Sequence, residues 1–235
     1  MANLFFPKVV FTHPGFPQVE PKGACWWYRT ELPRRYLESN DWPLVSMDQA
    51  KVVHVARACS KSYIEVVRRL KADGKKVVYE TDDNYWASVM LGIKEIPEYL
   101  DTINRTISLC DSVIVTTQPL ADVVQEVTGK SAYVAPNYLC TKSWGNPVKL
   151  LDLGNKPILL SSGSNSHLRD FQILADIARV PSMNQFQFVV WGNESFMNII
   201  PGSIWLKPVD IQGYFSSLQS LGKLPSIMGV VPLED

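Results

Sequence analysis

A turn of small polar residues carries the clearest chemical signal in the sequence. It spans residues 161–166, after an apolar run at 157–160 and before an apolar pattern at helical spacing that begins at Leu168. This order predicts a buried strand, a tight turn and a helix. The turn would bring free backbone N–H groups and the positive end of a helix dipole to one point, which attracts phosphate. Because it lacks the lysine of a P-loop and the three glycines of a dinucleotide fingerprint, an ordinary capped turn is the alternative interpretation.

Two adjacent carboxylates, Asp82 and Asp83, follow the apolar run 76–80. They could bind hydroxyl groups or act as a base in a cleft, they could cap or solvate a loop, or they could hold a metal ion. A metal needs oxygens that converge at set distances, and adjacent residues on a strand point to opposite faces. A shared ion would therefore require a turn here, and we predict no metal site.

The elements that must position these residues alternate between strand and helix. The strands are runs of four to six mostly β-branched residues without polar alternation, typical of strands that are buried on both faces. The sequence therefore predicts an α/β fold with mostly parallel sheets and helices on both sides. The alternation lapses at 139–156 and then restarts, so we predict two domains, 1–145 and 156–235.

Ligands of open α/β sheets bind beyond the carboxyl ends of the strands, and a cleft between two such sheets is the expected substrate site. The side chains that follow predicted strands are the candidates for this cleft: His13 with the loop to Gly23, Asp82 and Asp83, Thr116 and Thr117, Asn137, residues 161–164, and Gly192 with Asn193.

Three further candidates each allow a structural interpretation. Arg29 could stabilise a leaving diphosphate or form a surface ion pair. His167 could line a ligand site or lie exposed in the first turn of a helix, and Asn137 could line the cleft or cap a turn. His54 lies inside an apolar strand, which is typical of a core histidine.

Composition excludes several classes of protein. The 235 residues are 46% hydrophobic and 20% charged, with a formal net charge of zero, which argues against nucleic-acid binding through bulk charge. Four widely spaced cysteines and three histidines indicate neither a disulfide framework nor a zinc site. No apolar run reaches the roughly 20 residues of a membrane span, and we see no signal peptide. We expect a cytoplasmic protein.

Four segments, in chain order, then resemble a known family. They are Gly23-Ala-Cys-Trp-Trp-Tyr-Arg29-Thr-Glu-Leu-Pro33, the Asp-Asp segment 77–86, the passage 111–121 with Val-Ala-Pro-Asn at 134–137, and Gly163-Ser-Asn-Ser-His-Leu-Arg-Asp170. Together they resemble the GT-B class of glycosyltransferases, in particular the large retaining family (family 4) with bacterial and phage members, which transfers sugars from nucleotide-sugar donors.

The resemblance implies two Rossmann-like domains, with the acceptor on the first and a UDP- or GDP-sugar on the second. The acceptor would be a glycan, a protein or a modified base, and no cofactor other than this co-substrate is expected. By the resemblance, Gly163, Ser164 and Asn165 would lie near the donor diphosphate, and Arg29, Asp82 and Asp83 would face the cleft from the acceptor side. The catalytic candidates are Asp82, Asp83 and, from its place after a predicted strand, His13. The remaining substrate- and donor-binding candidates, chosen from their places in loops and at the ends of predicted strands and helices, are His167, Gly23, Asn137 and Thr117.

The sequence departs from the family at its end. Family members continue well past a Pro-Leu-acid segment such as 232–235, and carry there two donor-binding glutamates and a closing helix. We therefore expect either a fragment or a reduced second domain. The alternative is a catalytically inactive, glycosyltransferase-derived structural or interaction protein in a larger assembly, in which a partner protein covers the C-terminal sheet edge. Such a protein could be viral, and it would then lie in the host cytoplasm or in the virion.

Overall fold

The chain folds into two units. The computed structural model describes residues 9–12, 27–42, 44–57, 60–90, 97–137, 153, 155–163, 168–192, 194–196, 198–207, 209, 211–224 and 226–230. The compact units are Met1–Leu139 and Cys140–Asp235. Each is built around its own parallel sheet, so the predicted α/β class with two parallel-sheet units is confirmed.

The first unit holds five described strands in the order β1-β2-β3-β4-β5, with every neighbouring pair parallel. Its elements are β1 (Val9–Thr12), a π-helical turn (Trp27–Glu31), α1 (Leu32–Ser39), β2 (Val52–Ala56), α2 (Lys61–Ala72), β3 (Lys76–Thr81), α3 (Tyr85–Met90), α4 (Pro97–Leu109), β4 (Ser112–Val115), α5 (Gln118–Thr128) and β5 (Ala132–Val134).

One face of the first sheet forms the core of this unit. Alternation along the strands puts Val55, Tyr79 and Val113 on the same face, and each is at most 1% exposed. Helices α2, α4 and α5 pack against them through Val67, Ile107 and other buried residues. Burial of each such side chain stabilises the fold by about 1.5–3 kcal/mol, so this face fixes the orientation of the sheet.

The strand order of the first sheet follows the chain order. Right-handed crossovers that always advance in the same direction leave their helices on one face, and α2, α4 and α5 indeed share one core. The prediction of helices on both sides is therefore not met by these three helices. Residues of the opposite face, His54 and Glu80, are buried as well, and Arg29 of the π-helical turn reaches Glu80.

The start of α1 accommodates a proline. In the structure a π-helical turn precedes α1, and Pro33 lies in the first turn of α1. Proline is tolerated there because the N–H it lacks has no intrahelical partner in a first turn.

The second unit holds four described strands in the order β8-β7-β6-β9, all parallel. Its elements are β6 (Ile158–Gly163), α6 (Leu168–Ala178), a 3₁₀ turn (Pro181–Gln185), β7 (Gln187–Gly192), a 3₁₀ turn (Glu194–Phe196), β8 (Ile204–Leu206), α7 (Ile211–Leu221) and β9 (Ile227–Gly229).

The second sheet reverses direction at β6. The chain moves outward from β6 through β7 to β8 and then returns to place β9 on the other side of β6. Helix α6 packs on one face through Phe171 and Leu174, and α7 packs on the other through Leu218 and Leu221. Helices on both faces and this strand order are those of a doubly wound, Rossmann-like sheet.

No described helix combines the length and the apolar character needed to cross a membrane.

Candidate functional site

The carboxyl edge of the first sheet gathers polar side chains from distant parts of the chain. Because its strands are parallel, the residues that follow them meet at one edge. They are Arg57 after β2, Glu80 to Asp83 at the end of β3, Thr116 and Thr117 after β4, and Ala135 to Asn137 after β5.

Arg29 ties three elements together at this edge. Its side chain is 7% exposed and forms an ion pair with Glu80, which is 1% exposed. Its Nη1 donates to the carbonyl oxygen of Ala135 at 2.7 Å and to Oδ1 of Asn137 at 3.0 Å. Charge-assisted bonds of this kind are strong, and a buried pair becomes costly when one partner is removed. Arg29 therefore joins the π-helical turn to the ends of β3 and β5.

Glu80 also faces His54 of β2. The Nε2 of His54 lies 3.4 Å from Oε2 of Glu80, and both side chains are buried. The expected core position of His54 agrees with its burial. Glu80 was not predicted as a site residue, although a lone acid near the end of an apolar strand is a signal that could have found it.

A second charged cluster surrounds Arg57, directly after β2. Its backbone has a φ of 51°, a left-handed conformation that costs a non-glycine residue free energy. The backbone N–H of Arg57 donates to the carbonyl oxygen of Glu80 at 2.8 Å. Its Nε donates to the hydroxyl of Tyr85 at 3.2 Å, and its Nη2 donates to Asp83. Arg57 thus bridges the end of β2, the turn after β3 and the start of α3.

The electrostatics of this cluster keep Arg57 charged. Partial burial lowers the pKa of Arg57. Contacts with Tyr85, Asp83 and Asp82 raise it by more than burial lowers it, so the net pKa lies above its ordinary value. Burial raises the pKa of Tyr85, and the nearby Arg57 lowers it in part, so that its net pKa is raised.

The Asp82–Asp83 turn has a defined geometry. The N–H of Asp83 donates to Oγ1 of Thr81 at 3.2 Å, and Oδ1 of Asn84 accepts from the N–H of Ala87 at 3.0 Å in the first turn of α3. Such side-chain bonds to the local backbone stabilise polar turns. The turn separates the two carboxylates: Asp83 is 36% exposed and bonded to Arg57, whereas Asp82 is 9% exposed with Oδ1 at 3.7 Å from Nε of Arg57.

Two other predicted residues lie at the same edge. Thr117 caps helix α5, since its Oγ1 accepts from the N–H of Leu120 at 3.4 Å. Asn137 is an exposed residue bonded to Arg29. The structure thus brings Arg29 and Asn137 into contact, while Asp82 and Asp83 belong to the neighbouring Arg57 cluster. Their predicted roles in substrate binding and catalysis remain predictions.

The carboxyl edge of the second sheet is built from small and aromatic residues. Gly163 of β6 pairs in register with Gly192 of β7, and a Cβ added at Gly192 would lie 2.4 Å from the carbonyl oxygen of Gly163. Side chains larger than hydrogen are therefore excluded at Gly192. The two strand ends lie closer together than another residue would allow.

Aromatic residues brace this second edge. The rings of Trp191 and Tyr214 lie 4.6 Å apart, and the hydroxyl of Tyr214 is 3.2 Å from Oγ of Ser162. Trp205 donates its ring N–H to the carbonyl oxygen of Gly192 at 3.0 Å, and Trp191 donates to that of Lys207 at 3.1 Å. These contacts fix the ends of β6 and β7 and the segment after β8.

Six predicted site residues lie outside the described residues: His13, Gly23, Ser164, Asn165, His167 and Asn193. Within the described part of the chain, no group of three or more His, Cys, Asp or Glu side chains is arranged to hold a metal ion.

Comparison with known proteins gives weak likenesses. No family model matches the sequence, and no curated protein matches it. A Listeria monocytogenes protein assigned as a UDP-N-acetylglucosamine 2-epimerase is similar in structure with a TM-score of 0.47 and 13% identity, over 85% of this chain and 55% of that protein. The pneumococcal O-GlcNAc transferase GtfA, solved with UDP and GlcNAc, has a TM-score of 0.44 and 16% identity, over 86% of this chain and 45% of the transferase. The chain thus spans about half the length of these solved structures.

Proposed function

We propose that this chain is a GT-B-type glycosyltransferase, or the part of one spanned here, which transfers a sugar from a UDP- or GDP-sugar to an acceptor. The observation that carries the proposal is the reversal of the second sheet at β6, with Gly163 at the carboxyl end of that strand. In this proposal the domains are 1–145 and 156–235, with the acceptor on the first and the nucleotide-sugar on the second.

The reversal supports nucleotide binding for a geometric reason. Helix α6, which follows β6, packs on one face of the sheet and α7, which precedes β9, packs on the other, and ligands of doubly wound sheets bind outside the carboxyl ends of the strands at such a switch point. Gly163 and its register partner Gly192 add no side chains there, which lets a phosphate approach the backbone. Ser164, Asn165 and His167 follow Gly163 in the sequence and are proposed donor ligands.

The first sheet supports acceptor binding through its charge. Its carboxyl edge holds Arg57, Asp82 and Asp83 in one cluster, and carboxylates accept hydrogen bonds from hydroxyl groups. A retaining transfer also requires stabilisation of the leaving diphosphate, which backbone N–H groups and cations can provide. The resemblance of four ordered segments to the retaining glycosyltransferases supports the same reaction.

The test is titration calorimetry of the full chain with UDP, GDP, UDP-glucose and GDP-mannose. We expect one nucleotide class to bind with a Kd of about 1 µM to 1 mM, the usual range for such substrates. Gly192→Ala should abolish the heat of binding because its Cβ would meet the backbone of Gly163. Gly229→Ala is the matched control, since a Cβ there meets nothing within 4 Å.

Absence of binding by the wild-type chain to all four probes would overturn the proposal, as would equal binding by the Gly192→Ala variant. The chain would then fit the alternative of an inactive, glycosyltransferase-derived protein, and its partner would be sought next.

A further inference from the structure

We propose that Asp82 binds a hydroxyl group of a neutral polyhydroxyl acceptor, and that Arg57 and Asp83 position the carboxylate of Asp82. This inference rests on the proposed function, whose acceptor it specifies. It divides the roles of two adjacent carboxylates that look equivalent in the sequence.

The first observation is that the two carboxylates differ in their partners. Asp83 accepts a hydrogen bond from Nη2 of Arg57. Oδ1 of Asp82 is buried and, in the described part of the chain, accepts no hydrogen bond. Nε of Arg57 lies 3.7 Å away, too far for a hydrogen bond, and Nε donates to the hydroxyl of Tyr85 instead.

The second step concerns the cost of this arrangement. A carboxylate that is nine-tenths buried loses hydration, and each oxygen left without a donor costs free energy. Buried polar atoms in folded proteins almost always have a partner, so an unpaired oxygen at a strand end marks a place where a donor from outside the protein belongs. A hydroxyl group supplies one donor without bringing a charge that must itself be neutralised.

The local charge selects the class of acceptor. Among the described side chains of these two clusters, Arg29 and Arg57 contribute two positive charges, and Glu80, Asp82 and Asp83 contribute three negative ones, which leaves one net negative charge. Because both arginines are already paired with carboxylates, an anionic acceptor would meet net repulsion at short range. A neutral sugar has hydroxyl donors and no such penalty.

Arg57 is the positioning residue of this arrangement. Its left-handed backbone and the bond from its N–H to Glu80 aim the guanidinium across the turn after β3. Contacts with Asp83 and Tyr85 then hold both sides of the turn. Asp82 is the member of the cluster whose buried Oδ1 receives no hydrogen bond from these described contacts.

The experiment compares Asp82→Asn with its neighbour Asp83→Asn in the full chain. Binding is measured by saturation-transfer NMR with methyl α-glucoside, methyl α-mannoside, methyl N-acetyl-β-glucosaminide and, as the anionic contrast, methyl glucuronide, each with and without saturating UDP or GDP. Titration calorimetry with the nucleotide alone and thermal unfolding are measured in parallel.

We expect the wild type to bind at least one neutral glycoside more tightly than the glucuronide. Asp82→Asn should weaken that binding about tenfold or more, the usual effect of losing a hydrogen bond to a charged group, while nucleotide affinity stays at the wild-type value and the melting temperature does not fall. Asp83→Asn should instead lower the melting temperature, because it removes a partner of Arg57.

Several results would overturn the inference. They are unchanged glycoside binding by Asp82→Asn, preference for the glucuronide, binding of no glycoside by the wild type, or a crystal structure soaked in glycoside that shows only an ordered water on Asp82. If nucleotides bind and any of these occurs, the inference alone fails; if no nucleotide binds, the proposed function fails.

Discussion

The carboxyl edges of the two sheets carry different kinds of side chain. The first edge holds ion pairs between arginines and carboxylates. The Arg29–Glu80 pair is buried, and the Arg57–Asp83 pair is partly exposed. The described part of the second edge holds glycine, serine and aromatic side chains, fixed by ring N–H groups that donate to backbone carbonyls. Both edges belong to parallel sheets, so the difference comes from the sequence at the strand ends and from the direction in which each sheet is wound.

Because of this difference, the two edges would recognise ligands in different ways. At the first edge the charged groups pair with one another. The pairing determines which carboxylate keeps an oxygen without a hydrogen bond from the described residues, and that carboxylate is Asp82. At the second edge the backbone itself is accessible because glycines occupy the ends of β6 and β7. The first edge should therefore be sensitive to the loss of a charge, and the second to the gain of a methyl group.

The largest effect should come from breaking the buried pair at the first edge. Arg29→Met leaves the buried Glu80 without its arginine partner, which costs about 3–5 kcal/mol of the free energy of unfolding. The double variant Arg29→Met with Glu80→Gln should recover part of this loss, because no uncompensated charge remains. Urea unfolding of the four members of this cycle measures the coupling.

Arg105→Met is the control for this cycle. Arg105 pairs with Asp101 on the exposed face of α4, with both side chains more than half exposed, and such pairs contribute about 0–1 kcal/mol. Strictly additive losses for Arg29 and Glu80 would show that their pairing is not what stabilises the first edge.

A smaller effect is expected at the second edge. Gly192→Ala forces a Cβ against the carbonyl oxygen of Gly163, and overpacking of this kind costs about 1–3 kcal/mol. Hydrogen exchange measured by mass spectrometry should show faster exchange in peptides from β6 and β7 and unchanged exchange in peptides from β2 and β3. Faster exchange throughout the chain, or an equal effect of Gly229→Ala, would contradict a local close approach.

The smallest effect should come from a charged cluster of the first unit that is not buried. Asp111 accepts from the backbone N–H of Val77 at 2.8 Å and pairs with Lys71 at 2.6 Å. Partial burial raises the pKa of Asp111, but bonds from Lys71, Val77 and Lys76 outweigh it and lower that pKa to about 2. A carboxyl whose pKa is lowered in the folded state stabilises the protein above its unfolded pKa of about 4.

Asp111→Asn should therefore lower the free energy of unfolding by about 1 kcal/mol at pH 7, after allowance for solvent screening. The deficit should shrink as the pH falls from 4 toward 2, because the wild-type carboxylate then becomes protonated and loses its advantage. Urea unfolding at a series of pH values from 7 to 2 measures the difference. A deficit that does not change with pH would assign the loss to turn geometry instead of charge.

Much of the fold could be predicted from local patterns. The apolar runs that became β2, β3, β4, β6 and β7 are buried or partly buried along most of their length, as expected of runs without polar alternation. The helices followed from apolar residues at helical spacing. The sequence places Asp82, Asp83, Asn137 and Gly163 at carboxyl edges, because strand ends and turns can be predicted from neighbouring residues and parallel strands end at the same edge.

The partners at the site could not be predicted in the same way. Arg57 and Glu80 were not chosen from the sequence, since one follows an apolar strand and the other ends one, with nothing local to distinguish them from solvated charges. Arg29 was chosen as a cation, but its bonds run to Glu80, 51 residues away, and to Asn137, 108 residues away. Whether a charge is buried depends on which other elements cover it, and that information is not in its own neighbourhood.

The sequence by itself determined that the chain alternates buried strands with amphipathic helices, and that small or acidic residues stand where several strands end, because burial and turn formation depend mainly on nearby residues. The tertiary structure alone decided the strand orders, one advancing steadily and the other reversing at β6. It also decided that Arg57 bonds to Asp83 and leaves Oδ1 of Asp82 without a hydrogen bond from the described residues. Strand order and ion pairing depend on contacts between segments far apart in the chain, and many pairings satisfy the same local pattern until packing selects one.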